Sequence, residues 1–116
     1  MKNNKYLIVA NWKQNGDLKF LTKLVNNFIK LHKKVKPRCD VLLLPPTLYL
    51  SMILSRLRYH RISLRKISLG VQNISPFLNG AYTGEQSVDM IKDYKCSFTL
   101  IGHSERRHIL LEDENM

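Results

Sequence analysis

Two clusters of polar residues in this sequence combine side chains that can bind anions, donate hydrogen bonds and move protons. The first cluster is Asn11-Trp12-Lys13, and the second is Gly102-His103-Ser104-Glu105-Arg106-Arg107. Lys13 can hold an anion or stabilise developing negative charge. His103 can serve as a general acid or as an electrophile. Each also has a structural interpretation, as a surface lysine in a loop and as a hydrogen-bonded histidine, and position alone leaves both open.

The clusters need elements that position them, and the sequence predicts these elements as strands alternating with helices. Each cluster directly follows a short apolar run of the kind that forms a strand buried on both faces. The pattern predicts strands at 6–10, 39–44, 68–74 and 96–101, and helices at 18–36, 48–58 and 84–94. Asn15-Gly16-Asp17 is a candidate cap for the first helix and Thr47 for the second.

Strands that alternate with crossover helices favour an α/β fold with a parallel sheet. In such folds the sites lie at the carboxyl ends of the strands, so both clusters are expected at one edge of the molecule. His103 also precedes a predicted helix start, where the helix N-terminus disfavours a cationic imidazole. A further helix is expected to open at 110–116.

Composition sets the class of protein. The chain has 116 residues, of which 44% are apolar, so residues 1–116 are expected to form one globular domain or part of a larger one, with no second domain. No apolar run approaches the roughly 18 residues that span a bilayer, and the N-terminus has no apolar signal segment. The two cysteines, Cys39 and Cys96, are expected to be buried, inert thiols in a reducing cytoplasm.

The net charge of +10 is unevenly distributed. Residues 1–40 carry a net charge of +8, residues 41–84 carry +5 and residues 85–116 carry −3. Basic regions of this kind can bind nucleic acid. However, aromatic residues do not interleave with the basic ones, and helix-turn-helix and zinc-finger spacings are absent. We therefore interpret the charge as a solvated surface and expect no nucleic-acid or membrane partner.

The remaining chemistry-bearing residues have weaker patterns. His32 and His60 are expected on the surface, and His108 has no assigned role. No group of His, Cys, Asp or Glu has the spacing of a metal site. The glycine patterns of nucleotide-binding loops and the Gly-x-Ser-x-Gly turn are also absent. We therefore expect neither a metal nor a cofactor.

Three segments together resemble a known family. They are V-A-N-W-K at 9–13, G-A-Y-T-G-E at 80–85 and I-G-H-S-E-R-R at 101–107, in this order and with helix-sized gaps. They closely resemble the N-terminal half of triosephosphate isomerase, and the Pro45-Pro46 and G-V-Q-N (70–73) segments support the match. The resemblance implies a (β/α)8 TIM barrel, of which this chain supplies roughly the first four β/α units. Ala10 and Gln14 depart from the family pattern without removing a chemical group.

The resemblance also implies an activity and the residues that perform it. Such an isomerase interconverts dihydroxyacetone phosphate and D-glyceraldehyde 3-phosphate through an enediolate, in glycolysis and gluconeogenesis. Asn11 and Lys13 match the residues that bind the small phosphorylated triose. His103 matches the neutral histidine that polarises the substrate carbonyl. The family is itself the standard example of a histidine whose pKa is lowered by a helix N-terminus. Glu105 matches the acidic residue that supports it.

The family forms homodimers, and three residues match its subunit interface. Thr83 matches the residue that a partner subunit inserts near Asn11. Glu85 and Arg106 match a pair that meets across the interface.

The same resemblance places part of the machinery outside this sequence. A (β/α)8 barrel needs about 250 residues, and the family's catalytic glutamate follows the sixth strand. The phosphate-gripping loops follow strands seven and eight. We therefore interpret the chain as a fragment that is inactive alone. The alternatives are a non-catalytic relic of a truncated gene and a basic half-barrel that binds nucleic acid.

Overall fold

Strands and helices alternate along the chain in the computed structural model, which describes residues 6–115. The strands are β1 (Leu7–Asn11), β2 (Asp40–Leu44), β3 (Ile67–Val71) and β4 (Phe98–Thr99). The helices are α1 (Leu18–Val35), α2 (Leu50–Tyr59), α3 (Val88–Asp93) and α4 (Ser104–His108), and a 3-10 turn at Thr47–Tyr49 precedes α2. The signal-segment prediction for residues 1–5 and the end of the predicted last helix, Met116, fall outside the described residues.

The four strands form one parallel sheet in the order β1-β2-β3-β4. Leu7 lies opposite Asp40 and Asn11 opposite Leu44 in the first strand pair, and Gly70 lies opposite Phe98 in the last. The predicted α/β class with a parallel sheet is confirmed, since this arrangement matches the first β/α units of a TIM barrel. β1 and β4 are the two edges of the sheet.

The core lies between the two central strands and the helices that cover them. All five residues of β2 and all five of β3 are buried. From α1 the core receives Leu21, Val25 and Ile29, and from α2 it receives Leu50, Ile53, Leu54 and Leu57. Burial on both faces explains why β2 and β3 consist mostly of apolar residues, with Asp40 and Ser68 as their buried polar positions.

Gly70 is required where β3 approaches its neighbours. A Cβ atom at this position would lie 2.7 Å from both the Leu44 side chain and the Phe98 backbone oxygen. Only a residue without a side chain therefore lets β4 pair with β3 at this spacing.

The ends of α1 follow the sequence signals closely. The predicted cap at Asp17 is confirmed, because its carboxylate accepts a hydrogen bond from the backbone N–H of Phe20 at 2.8 Å. The helix ends at Val35, and the capping residue Lys36 adopts a left-handed conformation with φ of 50° and donates its N–H to the His32 carbonyl. The predicted Thr47 cap of α2 is wrong, because Thr47 begins the 3-10 turn and its hydroxyl instead lies 3.3 Å from Gln86 Oε1.

The predicted burial of β1 on both faces is wrong for this chain. Leu7, Ile8 and Val9 are 43%, 55% and 46% exposed, because β1 is an edge strand and no further element packs beyond it within residues 6–115. The same open side leaves Leu18 and Leu31 of α1 exposed. Val88, predicted to point inward from α3, is also exposed, whereas Ile91 is buried as predicted.

The C-terminal region differs most from its prediction. β4 has two residues rather than six, and residues 109–115 form no helix. The backbone turns instead, because Leu111 has φ of 57°. The Glu112 N–H donates to the Arg106 carbonyl. This turn brings the Glu112 carboxylate back to the side chain of Arg106, which holds it with two hydrogen bonds.

Candidate active site

The loop after β1 presents Lys13 in a fixed backbone conformation. Asn11 ends the strand, and its Oδ1 accepts a hydrogen bond from the backbone N–H of Lys13 at 2.9 Å. Lys13 has φ of 53°, in the left-handed region that a lysine seldom adopts. This turn lifts the lysine out of the strand direction, and its side chain is half exposed.

Gln72, which follows β3, holds this loop from the other side. Its Nε2 donates to the Lys13 carbonyl and to the Leu44 carbonyl, both at 2.9 Å. One side chain thus ties together the ends of three strands. In the sequence Gln72 stands out only as part of the G-V-Q-N segment at 70–73. It is a polar residue directly after a strand, as Lys13 is, and this position could have indicated that Gln72 belongs to the site.

His103 lies at the N-cap of α4, as the sequence predicts. Its Nδ1 accepts a hydrogen bond from the backbone N–H of Glu105 at 3.2 Å. A nitrogen that accepts a hydrogen bond carries no proton, so the proton of the neutral ring is on Nε2. Oε2 of Glu105 lies 3.5 Å from the same Nδ1. We assign the accepting role because the backbone N–H is closer and already occupies the lone pair.

An ion pair joins the two polar clusters. Nζ of Lys13 lies 2.7 Å from Oε1 of Glu105. β1 and β4 stand at opposite edges of the sheet, about 14 Å apart if the sheet were flat, at 4.8 Å per strand. The long side chains of Lys13 and Glu105 bridge this distance. The expectation that both clusters lie at the same end of the sheet is therefore confirmed by a direct contact.

The electrostatics of the site follow from this pair. The hydrogen bond from Lys13 lowers the pKa of the Glu105 carboxyl, and the charge of Lys13 lowers it further. Glu105 is therefore a carboxylate at neutral pH, and it balances the charge of Lys13. The Lys13 ammonium remains half exposed to solvent, so an incoming anion can reach it.

The three residues matched to a subunit interface lie on two segments. Thr83 and Glu85 are exposed on the long connection between β3 and α3. A backbone hydrogen bond from Ser75 to Gln86 closes this connection into a loop, and Phe77 stacks on Tyr82 with ring centroids 4.0 Å apart. The structure thus presents Thr83 on an internally braced projection.

Arg106 has an intrachain partner. Its guanidinium donates two hydrogen bonds to the Glu112 carboxylate. These bonds raise the pKa of Arg106, and the nearby charges of Glu112 and Glu85 add to the effect. The charge of Glu85 therefore already acts on Arg106 within one chain.

Other candidate groups take no part in this site. Among residues 6–115 no group of three metal-ligating side chains is close enough to hold an ion, and none of the helices formed there could cross a membrane. Cys96 is buried, and burial raises its pKa to about 11, so it is inert as predicted. Cys39 is only partly buried. His32 and His60, both expected on the surface, are partly buried there, and this burial lowers the pKa of His32.

Comparison with known proteins decides the family. The family model for triosephosphate isomerase matches residues 6–116, nearly the whole chain. The chain belongs to the triosephosphate isomerase family. Family members aligned with it include the triosephosphate isomerase of Legionella pneumophila (strain Lens), which is 40% identical over 111 residues. The triosephosphate isomerase of Lawsonia intracellularis is 40% identical over 108 residues.

These relatives are longer than the chain. The Legionella match covers 94% of this chain and 41% of the relative. The triosephosphate isomerase of Buchnera aphidicola subsp. Acyrthosiphon pisum is 37% identical over 113 residues, covering 97% of this chain and 42% of the relative. The chain therefore spans about two fifths of the length of the triosephosphate isomerases it matches, in agreement with the four strands of its sheet.

Proposed function

We propose that this chain supplies the substrate-binding and electrophilic half of an isomerase that interconverts dihydroxyacetone phosphate and D-glyceraldehyde 3-phosphate. The observation that carries the proposal is the 2.7 Å contact of Lys13 with Glu105, which places an ammonium group beside His103 at the carboxyl end of the sheet. Membership of the triosephosphate isomerase family supports the choice of substrate.

Lys13 provides the positive charge of the site. A half-exposed ammonium at the end of a strand attracts the phosphate-bearing substrate and stabilises the negative charge of the enediolate. Asn11 and Gln72 hold the loop that presents this charge. A loop that is already ordered needs little rearrangement when the substrate binds.

His103 provides the proton donor. With Nδ1 occupied by the Glu105 backbone N–H, the Nε2–H bond is available to a substrate carbonyl oxygen. As the carbon-bound proton leaves, negative charge builds on this oxygen, and the Nε2–H stabilises it. The imidazole can then pass its proton to one oxygen of the enediolate and take a proton from the other, which moves the carbonyl to the neighbouring carbon.

The base that removes the carbon-bound proton is assigned to a part of the enzyme other than these four strands. Glu105 is a poor candidate because its carboxylate is bound to Lys13. In the family this base is a glutamate after the sixth strand, and the described residues end after the fourth. We therefore propose that the chain acts with the remaining β/α units of a complete barrel.

The complete enzyme is proposed to be a cytoplasmic homodimer. The braced loop that carries Thr83 and Glu85 supports a contact of the kind the family uses, in which this loop reaches a partner subunit near Asn11. Arg106 would face the partner's loop while Glu112 holds its guanidinium in place. Two free cysteines suit a reducing compartment.

The proposal is tested in a full-length chimera, in which residues 1–116 replace the matching segment of the Legionella enzyme. The chimera is expected to isomerise both triose phosphates. His103→Gln should lower kcat by about 100-fold or more with little change in KM, because the lost interaction exists mainly in the transition state. Lys13→Ala should lower kcat and raise KM.

Lys19→Ala is the matched control, since Lys19 is an exposed lysine on α1. It should leave both constants unchanged. If the His103 variant retained the parent kcat, the electrophile would be misassigned and the proposal would fail.

A further inference from the structure

Basic residues of the first two helices gather at one end of the sheet. In a parallel sheet a helix that connects two strands runs back against them, so α1 and α2 end beside the N-terminal ends of the strands. The end of each helix and the connection into the next strand span 30–38 and 56–66. These two ranges contain ten Lys and Arg residues and no Asp or Glu. Lys13 and His103 follow strands, so the candidate active site lies at the opposite end.

The charges at this end are exposed and are not balanced. Nine of the ten basic side chains are exposed, and Arg56 is partly buried. In the described part of the chain none of the ten forms a salt bridge, since every salt bridge found there involves another basic residue. The two ranges also lie close together, because the charge of Lys66 adds to burial in lowering the pKa of His32. We call the surface formed by 30–38 and 56–66 the basic end.

Further β/α units leave the basic end uncovered. Such units extend the sheet sideways, beyond β1 and β4, whereas the basic end lies along the direction of the strands. The same surface is therefore expected in the complete barrel proposed above, on the side away from its active site.

An exposed aromatic side chain lies within the basic end. Tyr59 is the last residue of α2 and is 77% exposed. It stands between Arg58 and Arg61 in the chain, and its ring meets the ring of His60 edge-on, with centroids 5.1 Å apart. A phenol ring that is open to solvent beside cationic groups can stack on a nucleobase.

We propose that the basic end binds single-stranded nucleic acid without sequence preference, with phosphates on its Lys and Arg side chains and a base stacked on Tyr59. Binding of this kind combines a positively charged surface that follows the backbone with an aromatic platform, since every base has a π-face. Counterions released from the phosphates favour the contacts. The expectation of no nucleic-acid partner rested on the separation of aromatic and basic residues, and Tyr59 is an exposed exception to that separation.

The shape of the basic end favours a flexible strand over other polyanions. Lys30 lies five residues before Val35, the last residue of α1, so the charge extends about 7.5 Å along the side of the helix. A single strand can follow this bend, whereas a flat anionic membrane reaches only the outermost charges. An acidic polypeptide could also follow it, but it carries no base to stack on Tyr59.

The test is the binding of a fluorescein-labelled single-stranded RNA of mixed sequence and about 20 nucleotides, measured by fluorescence anisotropy. Both the 116-residue chain and the full-length chimera contain the basic end and should bind alike. We expect a Kd of about 10 μM at about 0.15 M salt, which is typical of non-specific binding. Log Kd should rise with log salt with a slope of about 3, equivalent to four phosphates at about 0.7 each. DNA of the same sequence separates the two sources of the ligand, since only RNA offers a 2′-hydroxyl group.

Two variants separate the phosphate contacts from the stacking. Lys33→Gln combined with Lys34→Gln removes two exposed charges from the end of α1. It should raise the Kd about tenfold and lower the salt slope by about 1.4. Tyr59→Ala should raise the Kd about fivefold or more and leave the salt slope unchanged, because stacking releases no counterions.

Lys19→Gln combined with Lys23→Gln is the matched control, because it removes the same charge from exposed positions near the other end of the same helix. Lys19 lies about 21 Å from Lys33 along the helix axis, which is more than two Debye lengths at about 0.15 M salt. The control should change the Kd by less than about twofold. All the variants should retain the isomerase activity of the parent chimera, so this test and the test of His103 are independent.

Circular dichroism confirms that each variant folds, and the changed side chains are all exposed. Absence of binding at about 100 μM protein, ten times the expected Kd, would overturn the proposal. Equal weakening by the control and by the Lys33 and Lys34 changes would show that net charge alone attracts the strand. Binding of Tyr59→Ala at the parent's strength would point to a polyanion without bases, and tighter binding to phosphatidylserine vesicles would point to a membrane; each of these results contradicts the proposal.

Discussion

The contact between the Lys13 ammonium and the Glu105 carboxylate sets the charge state of the site. A carboxylate bound by an ammonium group is harder to protonate than a free one. The hydrogen bond from Lys13 accordingly lowers the pKa of Glu105. A carboxyl whose pKa is lower when folded stabilises the fold above its unfolded pKa. Its contribution is therefore present above about pH 4.5, the ordinary glutamate value, and is lost as the pH falls through the folded pKa.

This coupling predicts the titration of Glu105. Carbon-detected NMR of the side-chain carboxyl should give a midpoint below that of an unperturbed glutamate. Lys13→Met should move the midpoint upward, toward the ordinary value, because the donor and its charge are both removed. Lys19→Met removes the same charge at a distant exposed position and should leave the midpoint unchanged. Equal shifts in the two variants would show that net charge, and not this contact, controls the carboxyl.

At the scale of single elements, the residue that caps the end of α1, Lys36, has a backbone conformation that lysine disfavours. Lys36 adopts φ of 50° and ψ of 60°, a left-handed conformation in which glycine is favoured over residues with a Cβ. A lysine at this place gains from the negative end of the helix dipole but retains the steric cost.

Replacing Lys36 by glycine should therefore stabilise the fold, by about 0.5–1 kcal/mol. Lys34→Gly is the matched control, since it removes the same charge inside the last helical turn. Glycine in a helix interior is unfavourable, so this variant should lose about 1 kcal/mol. The two effects, measured as shifts of the urea midpoint, should have opposite signs, and the same sign for both would contradict the conformational argument.

The packing of β3 against β4 depends on Gly70. Gly70→Ala should destabilise the fold by about 1–3 kcal/mol, because the added methyl group overpacks a filled site. The contact is with the Phe98 backbone oxygen as well as with a Leu44 methyl group, so side-chain rotation alone cannot relieve it. Urea unfolding followed by circular dichroism measures the loss. Ser51→Ala on the exposed face of α2 is the control and should change the midpoint little.

These elements also show what the sequence could predict. β2 and β3 are recognisable because burial on both faces makes them mostly aliphatic, and Asp17 because a cap needs a short acceptor side chain. β1 has the same apolar pattern as β2, yet it is exposed, because burial depends on neighbours that the pattern does not specify. The two polar clusters were found from their positions after strands.

The failed predictions have local causes. Residues 109–115 combine helix-forming residues, but the contact of Glu112 with Arg106 and the left-handed Leu111 turn the chain instead. This contact joins side chains six positions apart, which do not face each other on a helix, so helix propensity does not encode it. The hydrogen bonds of Gln72 to Lys13 and Leu44 likewise depend on where three strands end in space.

At the scale of the whole molecule, the structure is more open than its length requires. Its radius of gyration is 15.1 Å, against about 13 Å expected for a compact domain of this length. The difference reflects a sheet with two open edges and an uncovered β1. Apolar surface that is left in water contributes nothing to stability, so the fold relies on β2, β3 and the helices over them.

The isolated 116-residue chain is expected to show no detectable isomerase activity. Among residues 6–115 its site has a charge and an electrophile but no free carboxylate in the role of the base, and a positioned proton-transfer group contributes roughly 10²–10⁴-fold to rate. The measurement is a coupled assay on protein purified from a host that lacks its own isomerase, with His103→Gln as the background control. Activity that exceeds this background would contradict the expectation.

The ion pair across the site also has a consequence for the order of events during synthesis. Lys13 and Glu105 are separated by 92 positions in the chain. At the usual ribosomal rate of 5–20 residues per second, Glu105 emerges about 5 to 18 s after Lys13. Helix α1 and the β1–β2 pair can form in that interval, before the Glu105 carboxylate is available to Lys13. The ion pair can therefore form only after all four strands have been synthesised. The time at which it forms during translation is the time at which the site is assembled.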